Sequence, residues 1–432
     1  MIKSKLQPIW KNRLVKNVLV VASGTVGAQA IGMAFIPFIT RTYGPEVYGT
    51  LGAFIALTAV LTTLATLAYP IAIVLPENDN KAKALVKLSL LITVIMSLFV
   101  LVVLLLAGDW IIPKLGAASL ISFMFFIPLV MFFSSCQDIA QQWLIRKKAF
   151  KGIAKVSIAH SFINYGSQAL AGLYAPLAGV LIGIHTLAIA VRSVLTGYIG
   201  SKVTTTSVTE NQESVSLKNV AYEYRDFPLY RMPQVVLNAA SQSLPILMLT
   251  AFFGPASAGF YTLTRTVLSL PSTLLASSVQ SVFYPHFNEA VLAKDKTLPL
   301  LVKATAALTI IGIWPFLIVI VFGPLLFDFV FGQEWQTAGQ YAQWLSVWLF
   351  FALINRPSVS SIPVFRMQRW FLVYEVVSVC LRIVAIYIGF FYFASALTAV
   401  AVFSIVGAVL NIYLIVSTFF AAKRFDQEQI AI

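Results

Sequence analysis

Long runs of apolar residues, separated by short polar segments, repeat along the whole chain. A helix needs about 20 apolar residues to cross the hydrocarbon core of a bilayer. Runs of that length predict twelve transmembrane helices, over residues 17–40, 50–75, 84–107, 118–143, 152–174, 176–199, 229–253, 258–284, 299–322, 339–365, 370–393 and 395–421. Segments of about ten alternating residues, which are typical of membrane β-barrels, do not occur. The pattern therefore predicts an all-α integral membrane protein.

The composition supports this prediction and excludes several other classes. Hydrophobic residues make up 59% of the 432 residues and charged residues 11%, against about 45–50% and about 25% in globular proteins. A soluble, disordered or disulfide-rich secreted protein is therefore excluded. The cysteines and histidines show no metal-ligand spacing, and no Ser, His and Asp arrangement suggests catalysis. We expect neither an enzyme nor a bound metal or cofactor.

The net charge of +14 reflects membrane topology and not an affinity for nucleic acid. If the N-terminus lies in the cytoplasm, the inner segments hold 24 of the 30 basic residues, and the outer loops hold only Arg41 and Lys114. Lysine and arginine are enriched in cytoplasmic loops of membrane proteins. The distribution predicts a multi-pass protein of the bacterial cytoplasmic membrane with both termini in the cytoplasm.

The longest hydrophilic stretch, Ser201–Arg231, divides the chain into two sets of six spans. We expect an N-terminal lobe over residues 1–200, a cytoplasmic linker over 201–228 and a C-terminal lobe over 229–432. The chain has no phosphate-binding loop of the G-x-x-x-x-G-K-[ST] type, so ATP hydrolysis on this chain is not expected.

A short motif repeats at the first outer turn of each half. Residues 43–49 read YGPEVYG and residues 253–259 read FGPASAG, which places the two Gly-Pro pairs 210 residues apart. A single copy is simply a good tight turn. Two copies at equivalent places indicate a parallel repeat, whose halves would enclose a central cavity near mid-depth.

Four arginines fall within predicted spans, where each costs about 2.5–3.5 kcal/mol on insertion scales. Arg192 lies about two turns from the cytoplasmic end of its span, close enough for its side chain to reach the headgroups. Arg265, Arg356 and Arg382 are harder to explain as anchors and are the candidate substrate-binding residues. Arg265 also begins a polar stripe that continues through Ser269, Ser272, Thr273 and Gln280. A cavity lined by these arginines would attract an anion. The Ser, Asn and Gln positions, which include the row His160, Asn164 and Gln168 in the fifth span, are better explained by hydrogen bonds between helices.

Three segments resemble one family. The first-turn sequence FITRTYGPEVYGTLG, the eighth-span sequence GFYTLTRTVLSLPSTLLASSVQSVFYPHFNEA and the turn VFGQEWQTAG are similar to those of bacterial polysaccharide-synthesis oligosaccharide-lipid flippases. The resemblance implies the fold of the multidrug, oligosaccharidyl-lipid and polysaccharide exporter superfamily. It also implies an undecaprenyl-diphosphate-linked oligosaccharide as cargo, such as an O-antigen, lipopolysaccharide or exopolysaccharide repeat unit. The lipid bilayer and the polysaccharide polymerase machinery would be its partners.

Two other functions are weighed against the flippase. A multidrug exporter of the same superfamily would need acidic residues deep in the lobes to bind cationic drugs, and here the deep charges are arginines. A membrane scaffold or a polymerising glycosyltransferase is a different class, but a polymerase should carry a large outer loop, and the predicted outer loops are short. The sugar, the surface polymer and the coupling ion are not encoded in any recognisable motif.

Overall fold

The computed structural model describes residues 13–114, 116–205, 216–278, 283–293 and 295–430. Within these ranges the chain is helical and contains no strand. The α-helices are α1 Arg13–Ala65, α2 Asp79–Lys114, α3 Phe126–Arg146, α4 Phe150–Gly172, α5 Ala178–Thr205, α6 Leu217–Glu223, α7 Met232–Phe253, α8 Pro255–Ser278, α9 Tyr284–Leu292, α10 Thr297–Phe331, α11 Gln336–Ile354, α12 Arg356–Ser361, α13 Gln368–Phe393 and α14 Ala396–Ile430. Short 3-10 turns cover Tyr69–Val74, Ala118–Phe123 and Gln333–Trp335.

These helices confirm the prediction of an all-α membrane protein. Among the described residues, seven helices are long and apolar enough to cross a membrane. One of them, α1, contains the first predicted span and most of the second, whose last part forms the 3-10 turn at Tyr69–Val74. The fourth, fifth, eighth and tenth predicted spans lie mainly on α3, α4, α8 and α11, which carry more polar residues. Polar faces on these helices are expected where they pack against other helices instead of lipid.

The repeated Gly-Pro motif has the same backbone role in both halves. Gly44 interrupts α1 with a φ of 68°, and Gly254 separates α7 from α8 with a φ of 84°. A positive φ is strained for residues with a Cβ, so glycine suits the position that ends one helix. The following Pro45 and Pro255 suit the first position of the next helix, because proline has no N–H to satisfy there. The two sequence motifs are therefore two equivalent structural turns.

The described contacts divide the chain into two compact units, Met1–Ala251 and Phe252–Ile432. Unit 1 holds α1–α6 and most of α7, and unit 2 holds α8–α14. The hydrophobic core of unit 1 is built around large buried side chains of α1 and α3. In unit 2, α10, α11 and α14 pack together, and α13 packs against α14. The lobe boundaries at residues 200 and 229 remain predictions.

The linker region carries a short helix that is bound to unit 1. Val220 of α6 is fully buried in a cluster with Tyr69 and neighbouring apolar residues. The Tyr69 hydroxyl donates a hydrogen bond to the Ala221 carbonyl at 3.1 Å, and Lys81 forms an ion pair with Glu223 at 3.0 Å. This end of the linker therefore packs against unit 1 as part of it.

Small residues bring the first span of α1 close to α4. A Cβ placed on Gly24 would lie 2.5 Å from the Ala154 Cβ, and one on Gly32 would lie 2.7 Å from the Tyr165 ring. The residue numbers increase together along the contact, so the two helices run in the same direction. A parallel arrangement is what the topology requires of the first and fifth spans, which are both odd-numbered. Close packing through small residues is a common feature of helix contacts in membranes.

Gly24→Ala should destabilise this contact, whereas Gly27→Ala should not. The added Cβ at position 24 would also lie 2.6 Å from the Ala154 Cα, which can move only with its helix, whereas at position 27 the nearest atom is 3.6 Å away. Overpacking costs about 1–3 kcal/mol, and the better helix propensity of alanine recovers only about 1 kcal/mol. Membrane abundance and thermal aggregation of the two variants in detergent provide the measurement. Equal stability of both variants would contradict the packing account.

Candidate functional site

Two of the three predicted arginines come together in unit 2. Arg265 lies on α8 and Arg382 on α13, and the two side chains are near enough to interact electrostatically. Tyr261, one turn before Arg265, interacts with both arginines. Two guanidinium groups from separate helices therefore share one region of the fold.

Packing holds α8 in the orientation that places Arg265. The Thr264 hydroxyl donates a hydrogen bond to the Ala338 carbonyl of α11 at 2.8 Å. The buried ring of Tyr261 packs edge-on against Phe403 of α14, with 6.2 Å between the ring centroids. These contacts engage the residues directly before Arg265, so the rotation of α8 about its axis is set by α11 and α14.

Aromatic and polar groups surround Arg382. Its guanidinium lies 5.7 Å from the centroid of the Trp348 ring, a cation–π distance. Its Nε donates a hydrogen bond to the Ser378 carbonyl at 3.1 Å. Glu375, two turns earlier on α13, and Tyr374 both interact with it electrostatically. The terminal nitrogens of the guanidinium are not engaged by these contacts, which involve Nε and the face of the group.

Arg356 lies apart from Arg265 and Arg382. The predicted tenth span, 339–365, is interrupted, because α11 ends at Ile354 and the short α12 begins at Arg356. Asn355 at the break donates a side-chain hydrogen bond to Asn411 of α14. Arg356 is exposed, and it is not among the groups that interact with Arg382. The structure thus joins Arg265 and Arg382 and leaves Arg356 outside the pair.

The polar residues predicted along the eighth and fifth spans make different contacts in the structure. Ser269, in the stripe that begins at Arg265, donates to the Thr266 carbonyl of its own helix at 3.1 Å. The side chains of Ser272 and Thr273, and the whole of Gln280, lie outside the described residues. In the fifth span, Gln168 donates to Asn164 at 3.0 Å, and both are buried. This buried, hydrogen-bonded pair favours a role in helix packing for the polar row of the fifth span, and not a role in lining a cavity.

Sequence reasoning did not find the aromatic part of this site. Trp348 and Tyr261 lie in apolar segments without any distinguishing spacing, and only the fold brings them to the arginines. Glu375 lies seven residues before Arg382 on α13, and the structure brings the two side chains near enough to interact electrostatically. One carboxylate and two guanidinium groups leave a net positive charge, which suits a ligand with more than one anionic oxygen.

Solved structures with the same fold are transporters. An inward-facing multidrug resistance transporter of the MATE family in the MOP superfamily matches with a TM-score of 0.70 and 14% identity, over 92% of this chain and 96% of that chain. The lipid II flippase MurJ in an inward closed conformation matches with a TM-score of 0.65 and 13% identity, over 96% and 91% of the two chains. A MOP superfamily transporter from Pyrococcus furiosus matches with a TM-score of 0.61 and 14% identity, over 95% and 96%. At these identities the likeness establishes the fold alone.

A search of curated proteins finds no match to this chain. A family model described as "Polysaccharide biosynthesis protein" matches residues 38–340. The match covers both Gly-Pro turns, Arg265 and the turn at Gly332–Trp335, which are the segments that carried the sequence resemblance. The chain therefore belongs to the polysaccharide biosynthesis protein family, and it has the fold of MOP superfamily transporters.

Proposed function

We propose that the protein is a flippase for an undecaprenyl-diphosphate-linked oligosaccharide. It would move this repeat unit of O-antigen or another surface polysaccharide from the inner to the outer leaflet of the cytoplasmic membrane. The observation that carries the proposal is the electrostatic interaction of Arg265, on α8, with Arg382, on the long apolar helix α13. Membership of the polysaccharide biosynthesis family and the fold shared with a lipid II flippase support it.

The diphosphate explains why two arginines are needed. A group with two negative charges cannot cross about 30 Å of hydrocarbon unaided. Guanidinium groups bind phosphate oxygens through two parallel hydrogen bonds, and such pairs are stronger where water is excluded. Arg265 and Arg382 would each hold one phosphate, while Glu375 limits their mutual repulsion in the empty site. The polyprenyl tail would stay in the lipid during transfer.

The movement would follow alternating access between two lobes of a parallel repeat. The equivalent turns at Gly44 and Gly254 support such a repeat. The rings of Trp348 and Tyr374 lie beside Arg382 and would form part of the wall of the site that faces the cargo. In this proposal the chain transports its cargo without chemical change, and the polymerase machinery acts on the cargo afterwards.

A multidrug exporter is the alternative that the fold also allows. A site for cationic drugs requires a surplus of acidic groups, but the described cluster has two arginines and one glutamate. Repulsion between like charges would weaken the binding of a cation there. The charge of the cluster therefore favours an anionic cargo.

Reconstitution of the purified protein tests the proposal. Proteoliposomes would contain an undecaprenyl-diphosphate oligosaccharide with a fluorescent sugar, and a membrane-impermeant quencher would report the labelled head groups in the outer leaflet. We expect the quenchable fraction to rise faster than in protein-free liposomes and in liposomes with the Arg265→Ala variant. Faster extrusion of a cationic dye, with no movement of the labelled lipid, would establish the exporter instead.

The orientation is tested with reporter fusions. A reporter that is active only outside the cytoplasm should be inactive after Lys155 or Arg231 and active between Ala256 and Ser257. The expectation follows from the enrichment of basic residues in alternate loops. An active fusion after Arg231 would contradict the arrangement with both termini in the cytoplasm.

A further inference from the structure

Unit 1 contains a second group of charged and titratable side chains, separate from the Arg265–Arg382 pair. Asp138 lies on α3, His160 on α4, and His185 and Arg192 on α5, and these three helices pack against one another. Arg192 interacts electrostatically with Asp138 and with His160, and His160 interacts with His185. His185 and Arg192 are seven residues apart, so they share a face of α5.

Two nitrogen atoms in this group lack a partner. The Nε of Arg192 and the Nδ1 of His160 are buried without a hydrogen bond. Asp138 is the one acidic residue in the group, but the ion pairs within 4.0 Å in the described part of the chain do not include Arg192 with Asp138. Buried donors are normally satisfied in native proteins. Acceptor oxygens supplied by a ligand would satisfy these nitrogens.

The other charged residues described on the helices packed around this group lie nearer to turns or helix ends. α1 and α2 pack against α3, and their charged residues within the described side chains all lie near a turn or a helix end: Arg41, Glu46, Asp79, Lys81, Lys83, Lys87, Asp109 and Lys114. On α3, Arg146 is engaged with Asp79. On α4 the nearest is Lys155, which is exposed, and on α5 it is Lys202, which lies against the Tyr198 ring.

The net charge of the group depends on whether Asp138 is protonated. When Asp138 is ionised, its charge offsets that of Arg192 and repels an approaching anion. When Asp138 is protonated, the group carries the unopposed charge of Arg192. The histidines are poorer sites for this proton, because a second positive charge beside Arg192 would be repelled. Asp138 lies about two turns before the end of α3 at Arg146, and its side chain is at the surface of the unit.

We propose that Asp138, His160, His185 and Arg192 form an oxyanion site in unit 1 that is filled when Asp138 is protonated. Arg192 and His160 donate to the oxygens of a phosphate group, and Asp138 acts as the switch. This site would bind its ligand independently of the Arg265–Arg382 pair. The group could be the phosphate of a lipid or free phosphate, since the recognising chemistry is the same.

Binding measurements on the purified full-length protein test the proposal. The background carries Arg265→Gln and Arg382→Gln, so that anion binding at the first pair is removed and failure of the proposed flippase function does not affect the result. In neutral nanodiscs, calorimetry would follow inorganic phosphate and, separately, dodecyl phosphate at pH 5.5 and pH 8. We expect at least one ligand to bind, with an affinity at least tenfold weaker at pH 8. Binding of dodecyl phosphate alone would identify a lipid phosphate, and binding of both would identify the phosphate group itself.

Two further variants separate the roles within the site. Arg192→Gln should abolish the remaining binding at both pH values, whereas Asp138→Asn should bind at pH 8 as well as at pH 5.5. The exposed Arg424→Gln is the matched control and should change neither affinity nor pH dependence. Thermal unfolding profiles would show that each variant is folded. No binding in the background protein, unchanged binding in Arg192→Gln, or a retained pH dependence in Asp138→Asn would overturn the proposal.

Discussion

Arg265→Ala should abolish transport while the protein still inserts into the membrane at normal abundance. The side chain lies about ten residues into α8, which corresponds to a depth of about 15 Å at 1.5 Å per residue. Each charge-assisted hydrogen bond to a phosphate contributes about 1.5–3 kcal/mol, so the loss of even one such bond lowers affinity by about 10- to 150-fold. Loss of directional donors at the transferring group should reduce transport further, to the level of a flippase-deficient strain.

Different substitutions at Arg265 should reduce transport to different extents. Arg265→Lys keeps the charge but loses the bidentate geometry, so some activity should remain. Arg265→Glu places a negative charge beside the phosphates and should be inactive. Complementation of a flippase-deficient strain, read as surface polysaccharide per amount of membrane protein, is the measurement. Arg424→Ala is the control, because Arg424 is exposed and its ion pair in the described part of the chain is with Glu428 on its own helix. Full surface polymer with Arg265→Ala would exclude a role for this residue in cargo binding.

Arg382→Ala should cause the second-largest loss, about tenfold or more in transport. Arg382 is one half of the arginine pair, but its Nε and one face are already engaged by Ser378 and Trp348. Its remaining donors would contribute a single charge-assisted contact to the cargo. The effect should appear mainly as a higher substrate concentration for half-maximal transport in proteoliposomes.

Arg356→Ala provides the comparison for this prediction. Arg356 is also an arginine within a predicted span, but it lies beside the α11–α12 break and apart from the pair. We expect Arg356→Lys to keep more transport activity than Arg356→Ala, in the same order as for Arg382. The loss in Arg356→Ala should be smaller than the loss in Arg382→Ala. An Arg356→Ala variant more defective than Arg382→Ala, at equal abundance, would show that the pair in unit 2 is not the main cargo site.

The membrane-spanning character of the protein follows from local sequence. Each apolar run partitions into lipid by its own length and composition, so a span such as 84–107 can be recognised without its neighbours. The Gly-Pro turns are also local, because positive φ at Gly44 and Gly254 and proline at the next helix start are properties of single residues. Arginine is costly in lipid wherever it lies, so its position within an apolar run is enough to single out Arg265, Arg356 and Arg382.

Which of these arginines share a site was decided only by the tertiary structure. Position along a helix predicts depth, but the rotation of the helix about its axis depends on packing against its neighbours. Trp348 reaches Arg382 from α11, and the same ring packs against Gly407 of α14, where a Cβ would lie 2.5 Å away. The break at Asn355 depends similarly on its hydrogen bond to Asn411, from a distant part of the chain. Contacts between helices far apart in sequence carry no local signature, so the pair of arginines and the separate place of Arg356 could not be read from the spans alone.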